Sequence, residues 1–284
     1  MSIALDQVTI VSVTYESNTI AQALATVLAR FTNVIVIDNA SRDDTAKNLS
    51  QLAPHAKVIR NPLNIGFGPA NNQALALVTT PFALMLNPDC DIEVEALEHL
   101  LACAEQYPSA ALIAPQGWHG EGRPQASYRH AFYEKRSAQP YQIPDGVCSA
   151  KWLHGCCLLV RVDAFRAFGG FDERFFLFYE DDDLCLRALQ AGYDCLLQPL
   201  AHVLHVGGAS SKPSWRTDLF KHFHFFRSRH RIIGKYVGKS AARAYRLRTA
   251  LAAPFAVVIY CLFLQHRRAL KWSGWGYSAW KKMP

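Results

Sequence analysis

Short apolar runs alternate with helix-length amphipathic segments through the first half of this chain. The predicted strands and helices come in the order 8–13, 21–30, 34–37, 45–52, 58–59, 70–78 and 82–86. Strand-sized apolar runs separated by helices are typical of βαβ units around a mainly parallel sheet. We therefore expect an α/β fold whose ligands bind where strands end and loops begin.

Polar side chains follow each of four consecutive predicted strands. They are, in chain order, Thr14, Tyr15, Glu16, Asp38, Asn39, Ser41, the segment 61–68 that includes Gly66, Asn87, Asp89 and Asp91. Because the carboxyl ends of parallel strands meet at one edge of a sheet, these groups should converge there. No GKS or GKT follows the Gly66-Phe67-Gly68 turn, and it is not GxGxxG, which argues against a P-loop ATPase and a dinucleotide dehydrogenase.

Two clusters of carboxylates are candidates for chemistry. Asp89 and Asp91 follow a predicted strand, where they suit a divalent cation that bridges two phosphates, although Asp91 also suits a cap for the helical segment 93–106. Four consecutive acids, Glu180 to Asp183, follow an aromatic segment, 171–179, that we predict to be a strand. We expect Asp181 to act as a general base and Asp183 to pair with Arg187 one helical turn later.

Two histidines and a long irregular segment complete the middle of the chain. His202 and His205 lie in a predicted strand, 201–206, where a histidine is either a core residue or a ligand. Residues 117–150 show no period, and we expect a long loop on the acceptor side that closes over the site. The segment 152–160 reads as one apolar run before a short helix.

Charge is distributed unevenly along the chain. The formal net charge is +7, yet between residues 212 and 282 Asp218 is the one acid among many Lys and Arg. The eight cysteines form no CxxC pair and sit mainly in apolar runs, which indicates buried thiols in a reducing compartment. The chain starts without a signal-peptide pattern, so we expect a cytoplasmic protein.

The C-terminal region alternates basic and aromatic residues and then becomes apolar. Residues 221–231 carry the basic and aromatic pattern, which suits either RNA or a membrane surface. Residues 250–264 are fifteen nearly uninterrupted apolar positions, short of the about 20 that a membrane span needs. Basic flanks favour a helix on an anionic membrane surface over nucleic acid binding; a buried core helix is the alternative.

Six motifs appear in one fixed order, and together they resemble family-2 glycosyltransferases with the GT-A fold, in particular the bacterial rhamnosyltransferase-like branch. The motifs are VSVTY at 11–15, VIDNAS at 36–41, NIGFG at 64–68, LNPD at 86–89, GGFDE at 169–173 and EDDDL at 180–184. The resemblance covers about residues 8–210. It implies a Rossmann-like mixed sheet, with a glycosyltransferase domain at 1–210 and a helical, membrane-associating region at 211–284.

The resemblance also implies roles for individual residues at the donor site. Thr14, Tyr15 and Glu16 would lie near the base and ribose, and Asp38 would accept from the ring N–H of a pyrimidine. The other implied donor-site residues are Ser41, Gly66, Asn71, Asn87 and Asp89. The donor would then be a dTDP-sugar or a UDP-sugar.

Further implied roles concern the cation and the acceptor. Mg²⁺ or Mn²⁺ would be held by Asp89 and His205, with Asp91 as a second candidate in a different register. Asp181 would be the base, supported by Glu180, unless the register slips to Asp182. The segment under the donor sugar or acceptor would contain Trp152, His154 and Gly155, although core packing explains Trp152 equally well.

The function implied is an inverting, metal-dependent transfer by one in-line displacement. The leading donor is dTDP-rhamnose, and the acceptor is a glycan or a polyprenyl-diphosphate-linked sugar in O-antigen (lipopolysaccharide) or capsule assembly. We expect a peripheral protein on the cytoplasmic face of the inner membrane that binds no nucleic acid. The alternatives are a UDP-sugar transferase and a non-catalytic nucleotide-sugar or lipid-binding protein.

Overall fold

The computed structural model describes residues 5–134, 140–208 and 214–281. Contacts between Cα atoms divide these residues into two compact units. The first unit contains the described residues up to Asp172 and those from Asp181 to residue 208, and the second contains Glu173–Glu180 and the residues from Ser214 onward. The expected boundary at residue 210 lies outside the described residues.

The first unit is built on a mixed sheet of nine strands. Its strands run in the order β3-β2-β1-β4-β10-β6-β11-β5, with β8 paired to β11, and a separate two-stranded sheet joins β7 to β9. The strands are β1 (Val8–Thr14), β2 (Val34–Asp38), β3 (Lys57–Arg60), β4 (Phe82–Leu86), β5 (Cys90–Ile92), β6 (Ala110–Trp118), β7 (Tyr128–Arg129), β8 (Cys148–Ser149), β9 (Trp152–Leu153), β10 (Cys157–Arg161) and β11 (Asp194–His205).

Among the described residues, six α-helices pack on the faces of this sheet, and three further helices form the second unit. Those that follow the strands are α1 (Ala21–Leu28), α2 (Thr45–Leu52), α3 (Phe67–Ala76), α4 (Val94–Gln106), α5 (Val162–Ala167) and α6 (Glu180–Gln190). Those of the second unit are α7 (Trp215–Tyr236), α8 (Lys239–Leu262) and α9 (His266–Trp280).

The parallel half of the sheet confirms the fold expected from the apolar pattern. Strands β1, β2, β3 and β4 are mutually parallel, and each is followed by a helix or by the turn into β5. All seven residues of β1 are buried, since Ile10 joins the core on one face of the sheet and Val11 joins the core on the other. A strand covered on both faces has no polar alternation, which explains its continuous apolar run.

The antiparallel half brings chain-distant segments to the same edge. Strand β10 runs antiparallel between β4 and β6, and β5 runs antiparallel beside β11. In the second pairing, His205 lies opposite Cys90. The turn that follows β4 is thereby fixed beside the end of β11.

The structure corrects three expectations about local structure. The run 152–160 is divided into β9 and β10, and the segment 117–150 contributes β7 and β8 rather than forming a loop throughout. Residues 171–179 form turns and bends, not a strand, because Phe178 and Tyr179 have left-handed φ angles of 69° and 64°. The aromatic rings there pack on α7, where Phe176 stacks on His224 at 4.3 Å.

The second unit packs three helices through small residues and aromatic rings. A Cβ on Gly276 of α9 would stand 2.7 Å from the Cβ of Ala253 of α8, so the glycine allows the helices to approach closely. Phe226 of α7 stacks on Tyr245 of α8 at 5.0 Å. The second half of α8 nevertheless leaves its apolar side chains exposed, with Phe255 73% and Leu262 76% exposed.

That exposure is inconsistent with α8 as a buried core helix. The helix is long and apolar enough to cross a membrane, and only 11% of its most apolar stretch is buried. Length and composition alone are weak evidence for a span, since Pro254 lies inside the helix and basic residues fill its first turns.

Candidate active site

The loops after β1 and β2 are tied together around Asp38. This residue is fully buried. Its Oδ1 accepts from the Thr14 hydroxyl at 3.4 Å, and its Oδ2 accepts from the Ser41 backbone N–H at 3.1 Å. Arg60 Nε lies 3.6 Å from the same Oδ2. Because each carboxylate oxygen can accept more than one hydrogen bond, Asp38 both shapes the loop and retains capacity for a ligand N–H.

Backbone strain accompanies this arrangement. Glu16 and Ala40 adopt left-handed φ angles of 51° and 69°. The Ser41 hydroxyl accepts from the Glu16 backbone N–H at 2.8 Å and so connects the two loops. Non-glycine residues in this region cost roughly 1–3 kcal/mol each and cluster at functional sites. Tyr15, which precedes Glu16 in the chain, is 36% exposed.

Asn39 extends the same network to the loop before α3. Its side-chain amide donates to Asn64 Oδ1 at 2.9 Å and to the Gly66 carbonyl at 3.1 Å. Gly66 precedes α3 with a φ of 99°, a conformation that favours glycine. Asn71, one turn into α3, is buried and donates to the Phe67 carbonyl at 3.0 Å. The predicted donor-site residues therefore share one connected edge of the sheet.

Asp89 and His205 form the second feature of this unit. The Asp89 Oδ1 and His205 Nε2 atoms are 3.5 Å apart, and the two side chains are 2% and 11% exposed. No described residue donates a hydrogen bond to Asp89 Oδ1. The turn that presents Asp89 is closed by a hydrogen bond from the Cys90 backbone N–H to the Asn87 carbonyl, at 3.0 Å.

The other nitrogen of His205 faces a glutamine. His205 Nδ1 lies 3.1 Å from the amide oxygen of Gln125, which can only accept, so the proton belongs on Nδ1. In the neutral imidazole, Nε2, the nitrogen that faces Asp89, is then left to bind a cation. Burial alone would lower the pKa of His205, but Asp89 and the Cys156 side chain outweigh it and raise the pKa to about 10. The surroundings of the His205 imidazole therefore stabilise positive charge.

Two thiols lie beside the same imidazole. The sulfur atoms of Cys90 and Cys156 and a ring nitrogen of His205 lie within 4.8 Å of one another. Burial raises the pKa of Cys90 well above its ordinary value. These three side chains form a group that could hold a divalent cation, and the buried Asp89 carboxylate lies beside the same imidazole.

The structure places the second metal candidate elsewhere. Asp91 is 46% exposed at its side chain and forms an ion pair with Arg30. Successive residues of a strand point to opposite faces, so Asp91 and Cys90 of β5 cannot share one side. His202 alternates in the same way on β11, where it is exposed beside Trp118, so its interpretation as a core residue was wrong.

Asp181 is held in one orientation by its neighbours. Its Oδ2 accepts from the Trp152 indole N–H at 2.9 Å, and its Oδ1 accepts from the Asp182 backbone N–H at 2.9 Å. A Cβ on Gly155 would come within 3.2 Å of the Asp181 Cβ. Gly155 therefore permits the close approach of this carboxylate to the segment between β9 and β10. Its chain neighbour Glu180, the first residue of α6, is buried.

The next two acids have other partners. Both oxygens of Asp182 lie 2.8 Å from Arg129 Nη2. Burial and the charge of Asp181 still raise the pKa of Asp182 to about 7. Asp183 is fully buried and accepts from Arg187 Nε at 2.7 Å, the helical pair expected from the sequence. Among Asp181, Asp182 and Asp183, only Asp181 lacks a salt bridge to arginine among the described residues.

His154 lies between the base candidate and the cation candidates. Its ring centroid is 5.6 Å from that of Trp152 and 5.4 Å from that of His205. Its Nδ1 accepts from the Cys156 backbone N–H at 3.3 Å, and its Nε2 lies 3.4 Å from the Gln125 amide nitrogen. The contacts Asp181–Trp152–His154–His205–Asp89 are therefore continuous.

Sequence reasoning missed several residues of this site. Gln125 and Arg129 lie in the segment without periodicity, which gave no signal for either. Cys90 and Cys156 were assigned to the core, and they are buried, but their apolar surroundings in the chain concealed their proximity to His205. Only the pairing of distant strands reveals these neighbours.

The mixed sheet, with its polar groups at strand ends, has the GT-A fold that glycosyltransferases share. The family model described as "Glycosyl transferase family 2" matches residues 9–169. Because this match covers more than half of the 284 residues, the chain belongs to glycosyl transferase family 2.

Curated relatives include a rhamnosyltransferase. The N-acetylglucosaminyl-diphospho-decaprenol L-rhamnosyltransferase of Mycobacterium tuberculosis is 29% identical over 238 residues, which are 70% of this chain and 76% of the relative. Rhamnosyltransferase WbbL of Escherichia coli is 41% identical, but over 54 residues that cover 19% of this chain and 20% of the relative.

Solved structures with the same fold share little sequence with this chain. A mannosyltransferase from Pyrobaculum calidifontis, in complex with GDP-Man and Mn²⁺, has a TM-score of 0.61 at 14% identity and covers 98% of this chain and 88% of its own. S. aureus TarS 1–349 has a TM-score of 0.54 at 15% identity, with coverages of 96% and 90%. At such identities the likeness shows the fold.

Replacement of Trp152 by Phe tests how Asp181 is positioned. The variant keeps an aromatic ring but removes the hydrogen bond to the carboxylate, so we expect kcat to fall about tenfold or more while donor KM stays unchanged. Trp118→Phe is the matched control, because no described residue accepts from the buried Trp118 indole N–H. Equal effects in the two variants would contradict the role of Trp152.

Replacement of Gln125 by Ala tests the orientation of His205. Loss of a hydrogen bond behind a metal-binding histidine typically weakens metal affinity by about 10–100-fold, and we expect a loss in that range for Mn²⁺. Titration followed by electron paramagnetic resonance measures it. Gln142→Ala, an exposed glutamine of the same segment, is the control. Unchanged Mn²⁺ affinity in Gln125→Ala would show that this contact does not prepare the imidazole.

Proposed function

We propose that this protein is an inverting rhamnosyltransferase that uses dTDP-L-rhamnose and extends a sugar carried on a polyprenyl diphosphate. The observation that supports this most strongly is the continuous set of contacts from Asp181 to Asp89. It provides one oriented carboxylate without an arginine partner among the described residues and, beyond His154, one candidate cation site. A carboxylate and a cation site together suit a displacement at an anomeric carbon with a phosphate leaving group.

Asp181 is the proposed general base. The Trp152 indole N–H and the Asp182 backbone N–H each donate a hydrogen bond to one of its oxygens and so restrict its rotation. Each oxygen retains a lone pair that can accept a hydrogen bond from the hydroxyl of the acceptor sugar. Proton removal by a positioned carboxylate contributes about 10²–10⁴-fold to rate. Attack from the face opposite the leaving group inverts the anomeric configuration and requires no covalent intermediate on the protein.

Asp89 and His205 are the proposed cation ligands. A divalent cation bound there would neutralise the diphosphate of the leaving nucleotide. Mg²⁺ keeps its water ligands more tightly than Mn²⁺ and accepts an imidazole nitrogen less readily, so we propose Mn²⁺ as the preferred ion. The Pyrobaculum calidifontis and GalNAc-T7 structures, which were solved with Mn²⁺, support the presence of a divalent cation.

The names of the relatives support the choice of donor and acceptor. The Mycobacterium tuberculosis relative is named for transfer of L-rhamnose to N-acetylglucosaminyl-diphospho-decaprenol. Carried over to this chain, the acceptor is a sugar on a lipid diphosphate, and the pathway is assembly of a cell-surface polysaccharide. A pyrimidine nucleotide is consistent with Asp38, whose buried carboxylate can accept a ring N–H.

A lipid-linked acceptor requires contact with a membrane, which we assign to the second unit. The exposed apolar side chains of α8 include Leu251, Phe255, Val258 and Leu262. Basic residues precede them in the same helix, and Arg267, Arg268 and Lys271 follow in α9. This distribution is typical of helices in the headgroup region of an anionic cytoplasmic leaflet.

A donor and metal panel tests the proposed reaction. Purified protein is incubated with dTDP-L-rhamnose, dTDP-glucose, UDP-glucose or UDP-N-acetylglucosamine, with Mn²⁺ or Mg²⁺ and an N-acetylglucosamine acceptor on a polyprenyl diphosphate. We expect acceptor-dependent release of dTDP from dTDP-L-rhamnose alone, faster with Mn²⁺. Release from a UDP-sugar instead would refute the donor, and donor binding without any release would favour a non-catalytic binding protein.

Vesicle sedimentation tests the membrane assignment. The double variant Phe255→Ser with Leu262→Ser should reduce binding to phosphatidylglycerol vesicles by about tenfold or more, because each buried apolar side chain contributes about 1.5–3 kcal/mol. The control is Leu52→Ser with Leu63→Ser, whose side chains are 41% and 71% exposed in the first unit. Equal binding by both variants would argue against insertion of α8.

A further inference from the structure

A cavity of about 370 Å³ in the second unit is lined mainly by basic side chains. Its cationic lining residues are Arg174, Arg227, Arg231, Lys235, Lys239 and Arg243. His230 is the other titratable residue in its wall, and no acidic residue lines it within the described parts of the chain. A volume in this range holds a small ligand group, and the uniform sign of charge selects an anion.

The charge is concentrated by helical spacing. Arg227, Arg231 and Lys235 recur every four residues on α7, and Lys239 and Arg243 repeat the spacing on α8. Like charges four residues apart destabilise a helix. Two helices thus concentrate like charges around the same cavity.

A neighbouring cavity shows that this lining is not general for the unit. The second cavity has the same volume, about 370 Å³, but it contains Asp218 and the aromatic residues Phe178, Phe225 and Trp275 as well as basic residues. Its mixed charge and aromatic walls suit a different kind of ligand. The all-basic lining is therefore a property of the first cavity.

His230 adds a hydrogen-bonding group to the wall of the cavity. Burial, together with the charges of Arg246 and Arg231, lowers the pKa of this histidine. The imidazole is therefore neutral near pH 7, and a neutral imidazole can still donate one N–H to an anion. The side chain adds a donor without adding to the repulsion between the cations.

The first turn of α8 opens at the cavity. Lys239 begins the helix after Gly238, no side chain caps it, and its first turn contains no acid. The N-terminus of a helix favours anions, so cations there oppose the helix dipole unless an anion is bound between them. The N-terminus of α8 and the basic side chains consequently both favour a negatively charged ligand.

The same helix connects the cavity to an apolar surface. From Lys239 and Arg243, α8 continues to Leu251 and Phe255, which are 63% and 73% exposed. One helix thus carries cations at its start and a lipid-compatible face farther along. A ligand that matches both ends combines a phosphate-rich head with a hydrocarbon chain.

We propose that this cavity binds the diphosphate of the lipid-linked acceptor. The inference rests on the proposed function, because it assumes an acceptor on a lipid diphosphate. Six cationic side chains around one cavity exceed what a phosphodiester headgroup with a single charge requires, whereas a diphosphate supplies more charge and more acceptor oxygens. The cavity would fix the lipid end of the acceptor and leave its sugar free to react.

Binding measurements on the full chain test the proposal without any turnover. The variant Lys239→Gln with Arg243→Gln removes two exposed cations from the cavity. The matched control, Arg216→Gln with Lys281→Gln, removes two exposed cations elsewhere in the same unit. The probes are farnesyl diphosphate, inorganic pyrophosphate and phosphatidylglycerol vesicles, in EDTA so that no cation supports diphosphate binding in the first unit.

We expect the cavity variant to bind farnesyl diphosphate at least about tenfold more weakly than the control variant, since it loses charge-assisted contacts to phosphate oxygens. The affinity for pyrophosphate should fall in parallel. Farnesyl diphosphate should bind more tightly than pyrophosphate if the natural ligand is a lipid diphosphate. Equal diphosphate affinities in the two variants would overturn the proposal. So would a cavity variant that loses only vesicle binding, because the ligand would then be a phosphodiester headgroup.

Failure of the proposed function can be recognised separately. Binding of the donor depends on the first unit and should be equal in both variants. Diphosphate binding in the cavity without transfer from any donor would refute the rhamnosyltransferase reaction and leave the anion site intact. Rhamnose transfer together with equal diphosphate affinities in the two variants would support the reaction and refute the anion site.

Discussion

The antiparallel pairing of β5 with β11 is the constraint on which the candidate active site depends. It sets His205 opposite Cys90 and therefore beside the turn that carries Asp89. The pairing leaves a buried carboxylate oxygen without a donor among the described residues, 3.5 Å from an imidazole nitrogen. A buried, unsatisfied carboxylate costs folding free energy, and a bound cation would offset that cost. The fold thus keeps, in its best-packed sheet, a site that is complete only with positive charge.

Contacts with other segments make this site specific. Gln125 fixes the tautomer of His205, His154 lies between His205 and Trp152, and Trp152 orients Asp181. Arginine neutralises Asp182 and Asp183, so the helix tolerates consecutive acids while one of them faces a different partner. The charge distribution follows the same division, with carboxylates in the first unit and cations in the second.

The sequence alone predicted the parallel half of the sheet, because continuous apolar runs and helical periods are local signals. It also proposed Asp89, His205 and Asp181 as site residues, since motifs in fixed order resembled a known family, and these roles stay predictions. It failed where the outcome depends on long-range pairing. Residues 171–179 were predicted to be a strand, but they form turns and bends in which Phe176 stacks on His224 of α7. Asp91, the second metal candidate after Asp89, forms an ion pair with Arg30, because successive strand residues point to opposite faces. Gln125 had no local signal at all.

The most direct test of the account compares Asp181→Asn with Asp182→Asn in single-turnover transfer from dTDP-L-rhamnose, with binding of donor and Mn²⁺ measured in parallel. The account predicts that Asp181→Asn slows transfer by about 10²–10⁴-fold without weakening either ligand, as expected for loss of a general base. Asp182→Asn should retain more activity, because Arg129 already occupies that carboxylate. Full activity in Asp181→Asn, together with loss in Asp182→Asn, would contradict it.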